Sequence, residues 1–166
     1  AKPTELATPA ALTATQLFNA ASPSVVVVKA TDKDGNVLAT GSGVVVAHGS
    51  GDFFTVATNC HVVDAAGSDG EPVIKTDSGF GLGEITRRDT ARDVCLVLTY
   101  LRKTDAAGNF IRSDGRFVYP PAPPVARIAP LRSLEIGERV YAIGAPQGLE
   151  LSLSEGLVSG LRNEDG

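Results

Sequence analysis

The sequence has no methionine and no tryptophan, and aromatic residues make up only 5% of its 166 residues. Its apolar runs are short, such as Val25 to Val28 and Val44 to Ala47. None approaches the roughly 20 apolar residues of a membrane-spanning helix, so no membrane span is expected. Positive charge is not in excess: 15 Lys and Arg stand against 19 Asp and Glu, a net charge of −4. A groove for nucleic acid or a patch for an anionic membrane calls for a basic surplus, so nucleic acid is not an expected partner. The 2 cysteines are too few for a disulfide scaffold or a four-cysteine zinc site. With His48 and His61 they make four potential ligands, but their spacing matches no zinc pattern. Neither metal nor cofactor is expected. The segment Ala1 to Ala11 has no basic start and no continuous apolar stretch, so a signal peptide is absent or was removed before this chain begins.

What is present is a globular composition. Hydrophobic residues are 43% and charged residues 20%, enough to bury a core and too weakly charged for global disorder. With 18 glycines and 10 prolines among short Val-rich runs, strands and turns are favoured over a helical bundle. Residues 1–23 read as a lead-in, with a short helix at Thr15 to Ala21 ended before Pro23. Strands are expected at Val25–Thr31, Val37–Val46, Phe53–Thr58, Val73–Thr76, Gly83–Thr86 and Val94–Tyr100. Turn sequences such as Lys33-Asp34-Gly35-Asn36 and Gly49-Ser50-Gly51-Asp52 lie between them. Gly41-Ser42-Gly43 falls inside a strand, which marks a bulge or a close backbone approach. A polar loop spans Asp64 to Glu71. This spacing favours an all-β antiparallel barrel or sandwich.

Beyond residue 100 the pattern changes. A small hairpin is expected between the turns at 104–109 and 113–116, followed by a stiff proline connector at Tyr119–Pro124. A strand follows at Gly137–Ile143, then a turn at 144–148, then one strand or a strand pair at Leu151–Leu161. Residues 24–100 hold about six strands, enough to close a small barrel. Residues 125–166 hold two or three, and a sheet left that open exposes edges and apolar faces.

Two residues stand out chemically. His61 lies in Thr58-Asn59-Cys60-His61-Val62-Val63, at the end of an apolar strand. Asp93 immediately precedes Val94-Cys95-Leu96-Val97-Leu98. Each has a plain structural reading, as a core histidine bonded to a carbonyl and as a strand-end aspartate facing solvent. Asp89 competes with Asp93 but sits among charged residues. Taken together, a neutral histidine can accept a proton from a weak nucleophile near pH 7, and an aspartate can fix its tautomer. No serine stands in a Gly-x-Ser-Gly-Gly setting.

These blocks resemble a known family. Gly41-Ser42-Gly43-Val44-Val45-Val46 and Ala57-Thr58-Asn59-Cys60-His61-Val62-Val63 are similar to the GSGxxx…TNAHVV pattern of trypsin-like serine endopeptidases, most of all the bacterial HtrA/Deg branch. The run Arg87 to Leu98 resembles D-x-x-x-DLAVL. The run Leu134 to Leu149 resembles L-x-x-GD-x-V-x-AIGNPFGL, and Ser154 to Arg162 resembles TSGIVSALR. The resemblance implies two six-stranded antiparallel barrels with the active site between them. Residues 24–100 would be the first barrel, 101–124 a crossover longer than usual, and 125–166 the incomplete start of the second. It implies His61 as general base and Asp93 as its orienting carboxylate. The Ser nucleophile and the oxyanion-hole amides would lie in a GNSGGP segment that this chain does not contain. The chain is then the N-terminal part of a protease of protein or peptide substrates, inactive alone and completed by its missing C-terminal half. A Cys60–Cys95 disulfide follows from the same picture, since the residues flanking a touching His61 and Asp93 must also be close. That bridge would place the protein in the periplasm or outside the cell.

A different reading is a protease-like barrel that has lost its nucleophile half and acts as a binding module. Retention of both His61 and Asp93 argues for the enzyme. A third option is a cysteine nucleophile in the missing half. His48 reads as a hairpin-turn residue without a catalytic role. Substrate preference is not legible.

Overall fold

The computed structural model describes residues 12–130, 133–145 and 151–161. Strand β1 (Val25–Thr31) shows the governing pattern, with Val26, Val28 and Ala30 buried and the residues between them half-exposed. Side chains alternate across a strand, so a Val-rich run of period two presents one apolar face inward. The same alternation buries Val45 in β2 (Val37–His48), Phe54 and Val56 in β3 (Phe54–Thr58), and Ile74 in β4 (Glu71–Thr76). In β6 (Val94–Thr99) it buries Cys95 and Val97. Strand β5 (Gly79–Asp89) turns Gly81 inward instead, where an added Cβ would lie 1.8 Å from the Tyr100 carbonyl oxygen.

The strands pair antiparallel in the order β4-β1-β2-β3-β6-β5, and a β4–β5 pairing closes the ring into a six-stranded barrel. Closure leaves none of the six with a free edge along its full length. The all-β, trypsin-like barrel expected from the sequence is therefore present. Strands β5 and β2 extend further than the sequence pattern indicates, because both bend through register shifts, at Ile85/Arg87 and Val45/Ala47.

Helix α1 (Ala14–Ala21) begins with a capping box, in which Thr13 Oγ1 accepts from the Gln16 amide and the Gln16 side chain accepts from the Thr13 amide. A 3₁₀ turn containing Pro23 follows it into β1. After the barrel, β7 (Arg102–Lys103) pairs with the start of β5. A hairpin of β8 (Arg112–Ser113) and β9 (Arg116–Phe117) folds beside it. The proline connector and the residues just after it are tied to the barrel at two points. His48 Nε2 donates to the Pro123 carbonyl at 2.7 Å, and the Ala126 amide donates to the Val45 carbonyl at 2.9 Å. His48 is thus an anchor for the connector.

Strands β10 (Arg139–Gly144) and β11 (Ser152–Leu157) form a separate antiparallel hairpin. It docks on the barrel where the Ala145 amide donates to Ser42 Oγ at 2.7 Å. Large apolar side chains of this part, including Ile136 and Leu157, are exposed. The beginning of the lead-in, most of the expected 144–148 turn and the residues after Leu161 lie outside the described residues. No described helix is long and apolar enough to cross a membrane.

Candidate active site

The site forms at one rim of the barrel, where β3 ends and β6 begins. These strands pair with Thr58 opposite Cys95, so Asn59-Cys60-His61 and Asp93-Val94 emerge side by side. His61, expected at the end of the apolar strand, lies past the end of β3. It sits in α2 (Cys60–Asp64), a single helical turn that buries Cys60, Val62 and Val63 and leaves the His61 side chain 71% exposed. The turn forms because Val62 and Val63 need burial on one side only, which 100° per residue satisfies and strand alternation does not. Gly41 makes room for it, since a Cβ there would lie 2.8 Å from a Val62 methyl. That is the close approach signalled by the Gly41-Ser42-Gly43 run.

Asp93 adopts a left-handed backbone, φ 54°. Aspartate tolerates this conformation better than most residues, and sparsely populated backbone states cluster at functional sites. The conformation turns its carboxylate toward α2. Oδ1 accepts from the His61 backbone amide at 2.9 Å, and Oδ2 lies 2.6 Å from His61 Nδ1. Asn59 Nδ2 donates to both Asp93 Oδ2 and the Asp93 carbonyl, each at 3.1 Å. The Cys60 amide also reaches that carbonyl, at 3.4 Å. Beneath these contacts Cys60 and Cys95 are joined as a disulfide, with both residues buried.

Electrostatics follow from the geometry. The His61 backbone amide, then the His61 ring, hold the Asp93 carboxyl below its ordinary value; burial opposes them, and a protonated His61 and the Asn59 amide add smaller effects in the lowering direction. A carboxylate has only lone pairs to offer, so the Nδ1 proton of His61 points at Asp93 and the Nε2 lone pair is left outward. Among the described residues Nε2 has no hydrogen-bond partner. The arrangement can accept a proton at Nε2 and stabilise the resulting imidazolium.

Asp89 is not part of this contact. It caps its own turn, accepting from the Arg92 amide at 3.1 Å and the Arg92 guanidinium at 3.0 Å, and these bonds lower its pKa. Arg88 pairs with Asp64, tying β5 to the end of α2. On the other side of Asp93 an open cleft of about 310 Å³ is lined by Asn59, Thr58, Ser42 and Ile143 of the second hairpin. No three His, Cys, Asp or Glu side chains group as metal ligands among the described residues.

The sequence reading missed Asn59 and Ser42. Asn59 follows Thr58 at a strand end and looks like any turn residue; its only distinguishing mark is that it adjoins the candidate histidine. Ser42 links three elements, accepting from Thr58 Oγ1 through its carbonyl at 2.8 Å and from Ala145 through its hydroxyl.

The closed six-stranded antiparallel barrel is consistent with the trypsin-like fold. The family described as "Trypsin-like peptidase domain" matches residues 41–166, and the chain belongs to that family. Among solved structures it is similar to one described as "Crystal structure of Deg5", at 25% identity and a TM-score of 0.64. The match covers 90% of this chain and 64% of that one, so the chain spans less than two thirds of that relative's length. This likeness agrees with the HtrA/Deg resemblance of the sequence blocks. No curated protein sequence matches.

Proposed function

We propose that the chain is the N-terminal part of a serine endopeptidase and supplies two members of its triad. The observation that carries this reading is the 2.6 Å contact between His61 Nδ1 and Asp93 Oδ2 with Nε2 facing outward. A serine in a segment following Gly166 approaches Nε2. Its Oγ attacks the substrate carbonyl carbon while its proton passes to Nε2, and Asp93 stabilises the imidazolium. Collapse of the tetrahedral intermediate expels the amine, which takes that proton, and leaves the acyl-enzyme. Water then repeats the sequence and releases the acid. The same following segment brings the oxyanion-hole amides, worth about 3 kcal/mol. The exposed apolar residues Ile136, just before the second hairpin, and Leu157, at its end, are covered by that segment as it completes the second barrel. The substrate class is protein or peptide. The buried Cys60–Cys95 bridge supports an oxidising compartment, the periplasm or the extracellular space.

The test is labelling of the parent polypeptide with a fluorophosphonate. Labelling is expected, with loss on His61→Ala, and the 166-residue chain alone takes up no label. Labelling of the isolated chain, or labelling of the parent that ignores His61→Ala, overturns the proposal.

A further inference from the structure

The rim opposite the catalytic one carries aromatic surface that the protease reading leaves unused. Phe53 stands just before β3 and Tyr100 just after β6, and the pairing of Phe54 with Thr99 sets them side by side. Their ring centroids are 5.0 Å apart, with the planes 64° from parallel. Tyr119 comes from the connector; its ring lies 5.9 Å from that of Tyr100, turned by 50°. Together with Ser50, Gly51 and Asp52 of the β2–β3 turn, these rings line a hollow of about 310 Å³. That is the lower end of the range in which small-molecule sites fall. Phe53 is 41% and Tyr119 46% exposed, so much of this aromatic surface is left in water.

The walls of the hollow are held in place. The connector is tied on both sides of Tyr119: the Lys103 amide donates to the Val118 carbonyl at 2.8 Å, and His48 donates to the Pro123 carbonyl. The turn opposite is closed by the Gly49 amide, which donates to the Phe53 carbonyl at 2.8 Å, and Gly51 takes the φ of 64° that the reversal requires. The charge is of one sign. Asp52 is exposed, and among the described residues its carboxylate has neither a hydrogen bond nor an ion pair. No cationic side chain lines the hollow. Arg102, which donates to the Tyr100 hydroxyl at 3.1 Å, lines a separate and smaller hollow with Phe80 and Phe110. Aromatic faces carry the negative lobe of the ring quadrupole, so three rings at mutual angles beside a carboxylate make an apolar wall of negative potential.

We propose that this hollow binds an organic cation whose charge sits on a methylated nitrogen, a quaternary ammonium group. Its methyl groups lie against Phe53, Tyr100 and Tyr119, and its charge meets their faces and Asp52. A primary ammonium is strongly hydrated and brings three donors, which a wall made largely of rings does not satisfy. A neutral apolar group gains the rings but leaves Asp52 unmatched, and an anion is repelled by both. Strand β3, of 5 residues at about 3.3 Å each, separates the hollow from the His61 rim by about 16 Å, so an occupant leaves the cleft open. The inference stands apart from the protease reading.

The experiment is an NMR chemical-shift titration of the 166-residue chain with choline chloride. Neohexanol, the uncharged carbon analogue of choline, and ethanolamine, its primary-ammonium analogue, serve as comparisons. A Gly–Ser peptide carrying one trimethyllysine separates a protein-borne source from a free one; binding of either supports the site, and the tighter of the two names the source. Saturable shifts of the Phe53, Tyr100 and Tyr119 ring resonances are expected, with a Kd on the order of millimolar. Binding is expected to be at least about 3-fold weaker for neohexanol, for ethanolamine, and for choline with Tyr119→Leu or Asp52→Asn. Leu38→Asp, an exposed apolar residue outside the hollow, leaves it unchanged. Circular dichroism checks each variant, and Phe53→Leu carries the test if Tyr119→Leu fails to fold. Absence of saturable binding, equal binding of neohexanol or ethanolamine, or indifference to Tyr119→Leu and Asp52→Asn overturns the proposal. Fluorophosphonate labelling of the parent is unmoved by these substitutions, so failure here and failure of the protease reading are distinguishable.

Discussion

Asp93 carries three jobs on one residue: a left-handed turn, a backbone anchor for α2 and the acceptor for His61. Asp93→Asn tests the last while keeping the turn, because asparagine keeps the shape and tolerates φ 54° equally well; the Asn59 bond to the same oxygen is lost with it. The introduced amide presents a donor where an acceptor is needed and favours the wrong His61 tautomer. In the parent polypeptide kcat/KM is expected to fall about 10⁴-fold, the loss known for triads of this superfamily, with little change in the unfolding midpoint. Unchanged kinetics would remove Asp93 from the proposed triad. Asn59→Ala acts more gently. It deletes one of the contacts that lower the Asp93 carboxyl, so a carboxyl carbon NMR titration should find that group shifted upward toward its ordinary value. A titration identical to the parent's would show that Asn59 does not hold it.

At the scale of elements, the rim depends on cross-links between segments distant in sequence. The Cys60–Cys95 bridge closes a loop of 35 residues, for which chain entropy gives about 4 kcal/mol of stabilisation. Cys60→Ala/Cys95→Ala should lower the urea midpoint by a corresponding amount, measured under oxidising conditions. A shift under about 1 kcal/mol would mean that the reduced chain is already held in place by its hydrogen bonds. The β2–β3 contact is tight for a different reason. A Cβ at Gly43 would lie 2.4 Å from a Val56 methyl and 3.0 Å from a Val28 methyl, both in the core. Gly43→Ala therefore overpacks the barrel and is expected to cost about 1 to 3 kcal/mol in denaturant unfolding. A neutral result would show that β2 shifts freely.

At the scale of the whole molecule, four carboxyls among the described residues are held below their ordinary value: Asp32 by Asn36, Asp89 by Arg92, Asp93 by His61 and Asp105 by Asn109. A group whose pKa is lower folded than unfolded stabilises the fold above its unfolded value and ceases to as pH drops through its folded one. Stability of the chain should thus hold from neutral pH to about 5 and decline below about 4, where those carboxyls protonate. Thermal melts across pH 2 to 7 check this; a midpoint that rises on acidification contradicts it. Much of the molecule was legible beforehand, because the barrel uses the local code plainly. Val26, Val28 and Ala30 alternate with half-exposed neighbours, and the turns carry Gly and Asp where the chain reverses. His61 and Asp93 were legible through their motifs, and Cys60 with Cys95 through adjacency to them. The amino-acid order by itself determined which residues face inward, where most strands lie and which side chains are candidates for chemistry, since each rests on neighbours within a few positions. Only the tertiary structure decided that His61 stands on a helical turn, that Asn59 holds Asp93, that Ser42 receives the second hairpin, and that Phe53 and Tyr100 meet at the far rim. Those facts come from the β3–β6 pairing and from ring closure by β4–β5, contacts between distant segments whose register no local pattern encodes.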